Sequence, residues 1–185
     1  MNNDVCTGLR IVPLTADYPK LERLFEIRDE AFPANERLAS RDISSYTEYT
    51  KENGYVSLVF EEDNALIGFV QLRRCGDDAY FGIYLAIGKE YRNKQYGSRA
   101  LKLLIEEYLK GKMMFGCVEA LLPEAENYEQ RVARARFYQR NGMFLLDGVL
   151  DGGPRGKYQF ICTDPNATFE QLKAKMSIAM PMLTV

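Results

Sequence analysis

Histidine is absent from this chain of 185 residues. The absence excludes catalytic pairs and triads that depend on an imidazole, and it excludes zinc sites with histidine ligands. It also removes the side chain that enzymes use most often as a general base. Any proton transfer must therefore rely on carboxylates, tyrosine, lysine, cysteine or water.

Cysteine is scarce and scattered. The four cysteines are Cys6, Cys75, Cys117 and Cys162, and none of them forms a Cys-x-x-Cys motif. Because such spacing is the usual mark of a zinc or redox motif, we expect no metal cofactor. Isolated reduced thiols are typical of cytoplasmic proteins, and we expect that location here.

Long apolar runs and an excess of one charge are also missing. No apolar run approaches the ~20 residues of a membrane-spanning helix, and Met1–Cys6 lacks the pattern that begins a signal peptide. The formal net charge is only −2. We therefore expect neither a nucleic acid nor a membrane as a partner.

The patterns that are present predict one domain of the α/β (α+β) class. Seven apolar or β-branched runs predict strands at Leu9–Leu14, Tyr55–Phe60, Ala65–Arg73, Ala79–Ile87, Phe115–Leu122, Met143–Leu150 and Lys157–Thr163. Four segments predict helices at Tyr18–Phe32, Ser40–Asn53, Arg99–Lys110 and Tyr128–Asn141. Short polar links join three consecutive strands, and a strand–helix–strand unit follows them. We therefore expect a mixed, mainly antiparallel sheet of about seven strands, flanked by about four helices, with one parallel pair.

The end of the chain exceeds what this sheet and its helices need. We assign residues 1–163 to the domain and residues 164–185 to a C-terminal extension. Thr168–Gln171 has capping-box spacing, which predicts a short helix to about Met176. The final residues are apolar and rich in methionine, which favours contact with a second copy in a homodimer.

The central stretch of the chain combines a strand, a polar loop and a helix. Ile83–Ile87 is apolar, Arg92–Ser98 is polar with two basic side chains and one glycine, and Arg99–Tyr108 is apolar on one face. A loop that enters a helix N-terminus presents free N–H groups and the positive end of the helix dipole. This arrangement predicts a phosphate-binding site, and Gly97 lets the backbone approach the ligand closely.

Two motifs resemble those of the GNAT acetyltransferases. Arg92–Ser98 resembles the acyl-CoA loop of that superfamily, written Arg/Gln-x-x-Gly-x-Gly/Ala, although Gln95 stands where the first glycine is usual. Ala135–Phe144 resembles the pattern Ala-x-x-Phe/Leu-Tyr-x-x-x-Gly-Phe, which closes the cofactor site. The two motifs occur in the expected order with strands between them, and the resemblance extends over Leu9–Thr163.

The resemblance implies where acetyl-CoA binds. The cofactor-binding residues that it indicates are Leu85, Ala86, Ile87, Arg92, Asn93, Lys94, Gln95, Tyr96, Gly97, Ser98, Asn127 and Tyr138. In the family, the strand that matches Leu85–Ile87 binds pantetheine through its backbone and supplies an N–H group for the oxyanion. Asn127 lies farther from Tyr138 in sequence than the asparagine of the family pattern.

The same resemblance implies the catalytic residues. Tyr138 matches the family tyrosine that protonates the CoA thiolate, and the alternative is a tyrosine that only packs its ring. A lysine-like acceptor amine must first lose a proton, at a cost of roughly 4–5 kcal/mol at pH 7. The carboxylates considered as the base are Glu119, Glu36 and Asp78. For Glu119 the alternative is a structural pair with an arginine, and for Glu36 it is a surface position.

We therefore interpret the chain as an acetyl-CoA-dependent N-acetyltransferase. The expected reaction is direct transfer of acetyl to a primary amine of a small molecule or peptide, through a tetrahedral intermediate. One alternative is a non-catalytic acyl-CoA-binding sensor or partner module, which Gln95 and the displaced Asn127 favour. A Rossmann-type nucleotide binder is disfavoured because Gly-x-Gly-x-x-Gly is missing. Acidic residues near the expected acceptor pocket favour a cationic amine; they are Glu36, Asp42, Glu48 and Asp151.

Overall fold

The computed structural model of the chain describes residues 8–34, 37 and 54–179. The α-helices in this part are α1 (Leu21–Ala31), α2 (Tyr96–Leu103), α3 (Tyr128–Arg140) and α4 (Phe169–Ala179). The strands are β1 (Arg10–Pro13), β2 (Tyr55–Glu62), β3 (Ala65–Cys75), β4 (Ala79–Ile87), β5 (Met113–Glu119), β6 (Phe144–Leu145), β7 (Leu150–Asp151) and β8 (Lys157–Cys162). The helix predicted at Ser40–Asn53 and the carboxylate of Glu36 lie outside the described residues.

The strands form one mixed sheet in the order β1-β2-β3-β4-β5-β8-β6, and β7 pairs with β8. β4 and β5 run parallel, from Ala79 opposite Met113 to Gly82 opposite Gly116. Antiparallel ladders join β1 to β2, β2 to β3, and each of β5, β6 and β7 to β8. The predicted fold class and the predicted parallel pair are confirmed.

The single strand predicted at Met143–Leu150 is wrong, because the structure divides it into β6 and β7. Gly148 lies between the two strands with a φ of +107°, and a Cβ on it would lie 2.7 Å from the ring of Phe169. The ring occupies the space that a side chain at this position would need. The chain therefore bends at Gly148, and the described sheet has eight strands instead of seven.

The first helix begins later than the predicted Tyr18. α1 starts at Leu21, and Lys20 is the N-cap residue. Tyr18 precedes Pro19, and a proline ring disfavours the helical conformation in the residue before it. Tyr18 is instead buried, and its hydroxyl donates a hydrogen bond to Oε1 of Glu61 at 2.7 Å.

The described residues of Met1–Arg73 and Ile83–Lys110 form a first compact unit. Two residues, Asp63 and Asn64, turn β2 into β3, and both have the positive φ of a tight hairpin turn. β2 consequently extends to Glu62, two residues farther than predicted. The apolar core of this unit consists of Leu14, Tyr18, Leu24, Phe25, Ile27, Val59, Leu66, Phe69, Tyr84 and Ala86.

Within the first unit, β3 and β4 approach each other closely at Gly68. A Cβ on Gly68 would lie 2.2 Å from the carbonyl oxygen of Ala86. Near it, the N–H of Gly88 donates to the carbonyl oxygen of Ile67 at 2.9 Å. Only glycine leaves room for this spacing, so Gly68 holds the end of β4 directly against β3.

The described residues of Arg74–Gly82 and Gly111–Val185 form a second compact unit. Four phenylalanine rings pack in series through it, with centroid distances of 5.2 Å for Phe81–Phe115, 6.3 Å for Phe115–Phe160 and 5.4 Å for Phe160–Phe169. Because the last ring belongs to α4, the C-terminal extension contributes to the core of this unit.

α4 packs on its own chain. Leu172 and Met176 are buried, and Nζ of Lys175 forms an ion pair with Asp78 at 2.8 Å. The short helix predicted after Thr168 is present and continues to Ala179. The division of the chain at residue 163 and the homodimer stay predictions.

The helical path of the chain continues beyond Leu103, the last residue of α2. Leu104–Leu109 continues it as a π-helix, and Lys110 terminates the element with a φ of +50°. No helix in the described ranges is both long and apolar enough to cross a membrane.

Candidate active site

The predicted cofactor loop follows β4 and belongs to the first unit. It begins with a single 3-10 turn, Lys89–Tyr91. Glu90 in this turn accepts hydrogen bonds from Nη2 of Arg23 on α1, at 2.8 Å and 2.6 Å. Hydrogen bonds to Arg23 therefore connect the start of the loop to α1.

α2 begins at Tyr96, three residues earlier than predicted. The N–H of Arg99 donates to the carbonyl oxygen of Gln95 at 3.0 Å, and this is the first hydrogen bond of the helix. The N–H groups of Tyr96, Gly97 and Ser98 precede that bond, so helix geometry supplies no acceptor for them. A helix N-terminus of this kind is able to receive an anion, and anion binding by these three residues stays a prediction.

Gln95 adopts the backbone conformation that the family pattern assigns to glycine. Its φ is +63° and its ψ is 0°, which is the left-handed region. A residue with a Cβ pays about 1–2 kcal/mol in this conformation. The substitution therefore stores strain in the loop but preserves the turn into α2.

The side chains of the loop point largely to solvent. Arg92, Asn93, Lys94 and Gln95 are all exposed. Nε of Arg92 donates to the carbonyl oxygen of Ile87 at 2.9 Å, which turns this side chain back over the end of β4. Lys94 remains the basic side chain that extends from the middle of the loop.

The end of β4 lies beyond the ladder with β5, which stops at Gly82. The N–H of Gly88 points toward β3, where it donates to Ile67. Backbone groups of a strand alternate between its two edges, so Ala86 shares the edge of Gly88 and Leu85 and Ile87 point to the other one. Their backbone groups have the directions that a strand-like ligand requires.

Tyr138 lies on α3 in the second unit, two residues before the end of that helix. Its side chain is half-buried, and its ring packs against Phe137 with a centroid distance of 5.1 Å. Burial raises the pKa of Tyr138, and the guanidinium of Arg134, one turn earlier, acts to lower it. The phenol is therefore protonated at neutral pH, as a proton donor must be.

Glu119 ends β5 and is held by donors from α3. Nδ2 of Asn127 donates to Oε1 at 3.1 Å, Nη1 of Arg134 donates to Oε2, and Nη2 of Arg131 lies 3.3 Å from Oε1. Nε of Arg131 also donates to Oδ1 of Asn127 at 2.7 Å. Asn127, predicted to contact pantetheine, thus has both ends of its amide engaged in this cluster.

The cluster changes the proton affinity of Glu119. Partial burial acts to raise the pKa of this carboxyl, but the hydrogen bonds from Asn127 and Arg134 and the charges of Arg134 and Arg131 outweigh it. The net result is a lowered pKa, so Glu119 is a carboxylate that binds a proton weakly. Its geometry is that of an ion pair with the helix.

The other two carboxylates considered as the base are those of Asp78 and Glu36. Asp78 is exposed and pairs with Lys175 of α4, and this ion pair lowers its pKa. Glu36 is not among the described residues, but its neighbour Arg37 is anchored: Nε donates to the carbonyl oxygen of Phe32 at 2.6 Å, and Nη2 to that of Asp29 at 2.8 Å.

The structure shows the arginine pair that the sequence analysis gave as the alternative role of Glu119, with Arg134 and Arg131 as the partners. The contact of Tyr96 and Arg99 with Glu62 at the end of β2 was not predicted from the sequence. Within the described ranges, no three histidine, cysteine, aspartate or glutamate side chains are grouped to hold a metal ion.

Comparison with known proteins identifies the family of this chain. The model of a family described as acetyltransferase (GNAT) matches residues 21–143, more than half of the chain. No curated protein sequence matches.

Solved structures with the same fold are numerous. A GNAT-family protein from Bacteroides thetaiotaomicron is 23% identical, with a TM-score of 0.73 over 95% of this chain and 99% of that one. An aminoglycoside 6'-N-acetyltransferase in complex with coenzyme A is 16% identical, with a TM-score of 0.62 over 85% of this chain and 99% of that one. A variant of the spermidine N-acetyltransferase from Vibrio cholerae is 14% identical, with a TM-score of 0.64 over 84% and 93%.

Proposed function

This chain belongs to the GNAT acetyltransferase family, and on that premise we propose that it moves an acetyl group from acetyl-CoA to a primary amine of a small molecule or peptide. The observation that carries the proposal is the N-terminus of α2. It follows β4 after a short turn and a loop with two basic side chains, and the N–H groups of Tyr96, Gly97 and Ser98 precede the first hydrogen bond of the helix. This is the geometry that receives a pyrophosphate.

In this proposal the loop and β4 hold the two parts of acetyl-CoA. The N–H groups at the start of α2 bind the pyrophosphate, and Lys94 and Arg92 add positive charge. The backbone groups of Leu85 and Ile87 pair with pantetheine on the edge of β4 that β5 leaves at Gly82. One N–H group of the same strand stabilises the oxyanion of the tetrahedral intermediate.

Tyr138 is the proposed general acid. The amine nitrogen attacks the thioester carbon, and the C–S bond breaks as the intermediate collapses, so that the electron pair leaves on sulfur. Tyr138 then donates its phenolic proton to the thiolate. A phenol whose pKa is raised by burial keeps this proton at neutral pH, which suits the role.

The acceptor amine loses its proton to a carboxylate, directly or through water. Of the candidates, Glu119 is engaged by three donors, and its lowered pKa makes it a weak base. Of the two carboxylates that the resemblance implies as catalytic, Glu36 is the one left, and we propose it as the base. Glu119 is the alternative.

The acceptor is proposed to be cationic. Two of the structural neighbours are named for aminoglycosides and for spermidine, which are both polyamines. The acidic residues that the sequence places near the acceptor side of the chain agree with a substrate of this charge. We also propose a cytoplasmic location and a homodimer.

A release assay tests the whole proposal. The protein is incubated with acetyl-CoA and a panel of polyamines, aminoglycosides, amino acids and peptides with free N-termini, and free CoA is measured with and without each amine. An N-acetyltransferase releases CoA in an amine-dependent manner and yields an acetylated amine by mass spectrometry. Binding of acetyl-CoA with no turnover on any amine would instead favour the acyl-CoA sensor.

A further inference from the structure

Glu62, the last residue of β2, is enclosed by two side chains from the first turn of α2. The hydroxyl of Tyr96 donates to Oε2 of Glu62, and Nη2 of Arg99 donates to Oε1. The guanidinium carbon of Arg99 lies 5.0 Å from the centroid of the Tyr96 ring. Only 13% of the Glu62 side chain is exposed, and a Cβ on Gly8 would lie 3.0 Å from its Oε1. We call these three side chains the Glu62 cluster.

The cluster compensates an unfavourable charge in α2. Arg99 lies in the turn where the helix dipole is positive, and the first turn of α2 contains no acidic residue. Glu62 supplies the missing negative charge from another element. The hydrogen bond from Arg99 and that from Tyr96 lower the pKa of Glu62, so the carboxylate is ionised at neutral pH.

We infer that Glu62 is a positioning residue for acetyl-CoA binding, which holds the first turn of α2 in its anion-receiving orientation through Tyr96 and Arg99. The inference rests on the proposed function, since it requires that the turn binds acetyl-CoA. The residues that bridge Glu62 to the ligand are immediate neighbours of Gly97 and Ser98, whose N–H groups face the phosphate. Loss of the carboxylate removes a hydrogen-bond partner from both bridging side chains and loosens the turn.

A positioning role and a simple charge effect predict opposite changes. A carboxylate near an anion site repels the ligand, so if Glu62 were only a nearby negative charge, its neutralisation would tighten acetyl-CoA binding. If Glu62 instead positions the turn, the same neutralisation weakens binding. The sign of the change therefore separates the two roles.

Glu61 provides a matched control in the adjacent position. It is also a largely buried carboxylate, with 6% of its side chain exposed, and it also accepts hydrogen bonds from a tyrosine and two cations. Its partners are Tyr18, Arg10 and Lys20, none of which belongs to α2. The variants Glu62→Gln and Glu61→Gln therefore remove equivalent bonds from different elements.

The test measures the Kd for acetyl-CoA by calorimetry and the steady-state KM and kcat at physiological ionic strength. We expect Glu62→Gln to raise Kd and KM about fivefold or more while kcat at saturating acetyl-CoA stays unchanged, because binding and not chemistry is affected. Glu61→Gln should change Kd less than about twofold. Adding Arg99→Gln to Glu62→Gln should weaken binding little further, since both act through one contact.

Unchanged or tighter binding in folded Glu62→Gln overturns the inference and leaves the proposed function intact. Wild-type protein that fails to bind acetyl-CoA overturns both. If Glu62→Gln does not fold, Tyr96→Phe replaces it, because this variant removes a single hydrogen bond and keeps the ring. A Kd for Tyr96→Phe equal to that of the wild type then overturns the inference.

Discussion

Arg134 on α3 donates a hydrogen bond to Glu119 at the end of β5, one helical turn before Tyr138. The pair joins the helix that carries the proposed acid to a strand of the same unit. It also places a cation beside the phenol, where its charge opposes the rise in pKa that burial causes. The same arginine therefore contacts Glu119 and influences the proton affinity of Tyr138.

Tyr138→Phe keeps the ring and removes the proton that the mechanism requires. We expect kcat to fall about 10- to 1000-fold while the Kd for acetyl-CoA remains nearly unchanged. Tyr128→Phe, at the start of the same helix, is the control and should retain the kcat of the wild type. Pre-steady-state measurement establishes that chemistry limits the rate. Equal turnover of Tyr138→Phe and wild type would leave Tyr138 as a packing residue.

Glu36→Gln and Glu119→Gln distinguish the two proposed bases. Removal of the base should lower kcat about 10- to 100-fold at neutral pH and flatten the rise of kcat with pH. We expect this result for Glu36→Gln. Glu119→Gln leaves Arg131 and Arg134 without their carboxylate, so it should reduce the free energy of unfolding more than it changes the pH profile of kcat. The reverse pattern in the two pH profiles would assign the base to Glu119.

Gln95→Gly relieves the left-handed strain at the entry to α2. We expect the free energy of unfolding in urea to rise by up to about 1 kcal/mol, since the relief of strain exceeds the extra entropy of glycine in the unfolded chain. Gln95→Ala is the control, because alanine keeps the Cβ and should bring no such gain. A loss of stability in the glycine variant would contradict the account of this loop.

Acid should weaken the first unit through Glu61. Burial acts to raise the pKa of Glu61, but its hydrogen bonds from Tyr18, Lys20 and Arg10 lower it overall. A lowered folded-state pKa contributes stability that is present above the unfolded-state pKa of about 4.5 and is lost as the pH falls through the folded-state value. Glu61→Gln should lower the free energy of unfolding by about 1 kcal/mol at pH 7, because it weakens hydrogen bonds to Tyr18 and to the partly exposed cations of Arg10 and Lys20.

The same variant should also show a smaller loss of Tm than the wild type between about pH 6 and pH 3, which is roughly the range in which carboxyl groups titrate. Thermal unfolding followed by circular dichroism measures both effects. Parallel Tm curves for the two proteins over this range would show that the Glu61 contacts do not contribute to acid sensitivity.

The end of the chain tests the proposed homodimer. Leu172 and Met176 of α4 are buried in their own chain, so we assign the proposed contact with a second copy to the apolar residues after Ala179. Deleting residues 180–185 should therefore halve the mass measured by light scattering, with little change in Tm. A full-length protein that is monomeric at high concentration refutes the dimer, and a truncated dimer moves the interface elsewhere.

Much of the fold was predictable because apolar periodicity marks elements that bury one face. The starts of elements were harder to predict. Tyr96–Ser98 carries no apolar period, yet it forms the first turn of α2, since the helix starts from a backbone bond to Gln95. Tyr18 has the period of a helix, but Pro19 excludes it from one.

The sequence predicted some of the site residues and missed the contacts of others. The loop and Tyr138 were found because they belong to short motifs with close spacing. The partners of Glu62 were not found, and for Glu119 an arginine was considered without its position, since these contacts join residues that are far apart in sequence and depend on the direction of each side chain. Local pattern carries no information on such pairs.

The contacts of Glu61 and Glu62 restrict where insertions and deletions can occur in the sequence. The two adjacent glutamates contact different elements, Glu61 the residues around β1 and α1 and Glu62 the start of α2. A deletion of one residue within β2 would exchange their directions and break both sets of contacts at once. Insertions and deletions among homologues should therefore accumulate at the turn Asp63–Asn64 and be rare in the strand that precedes it.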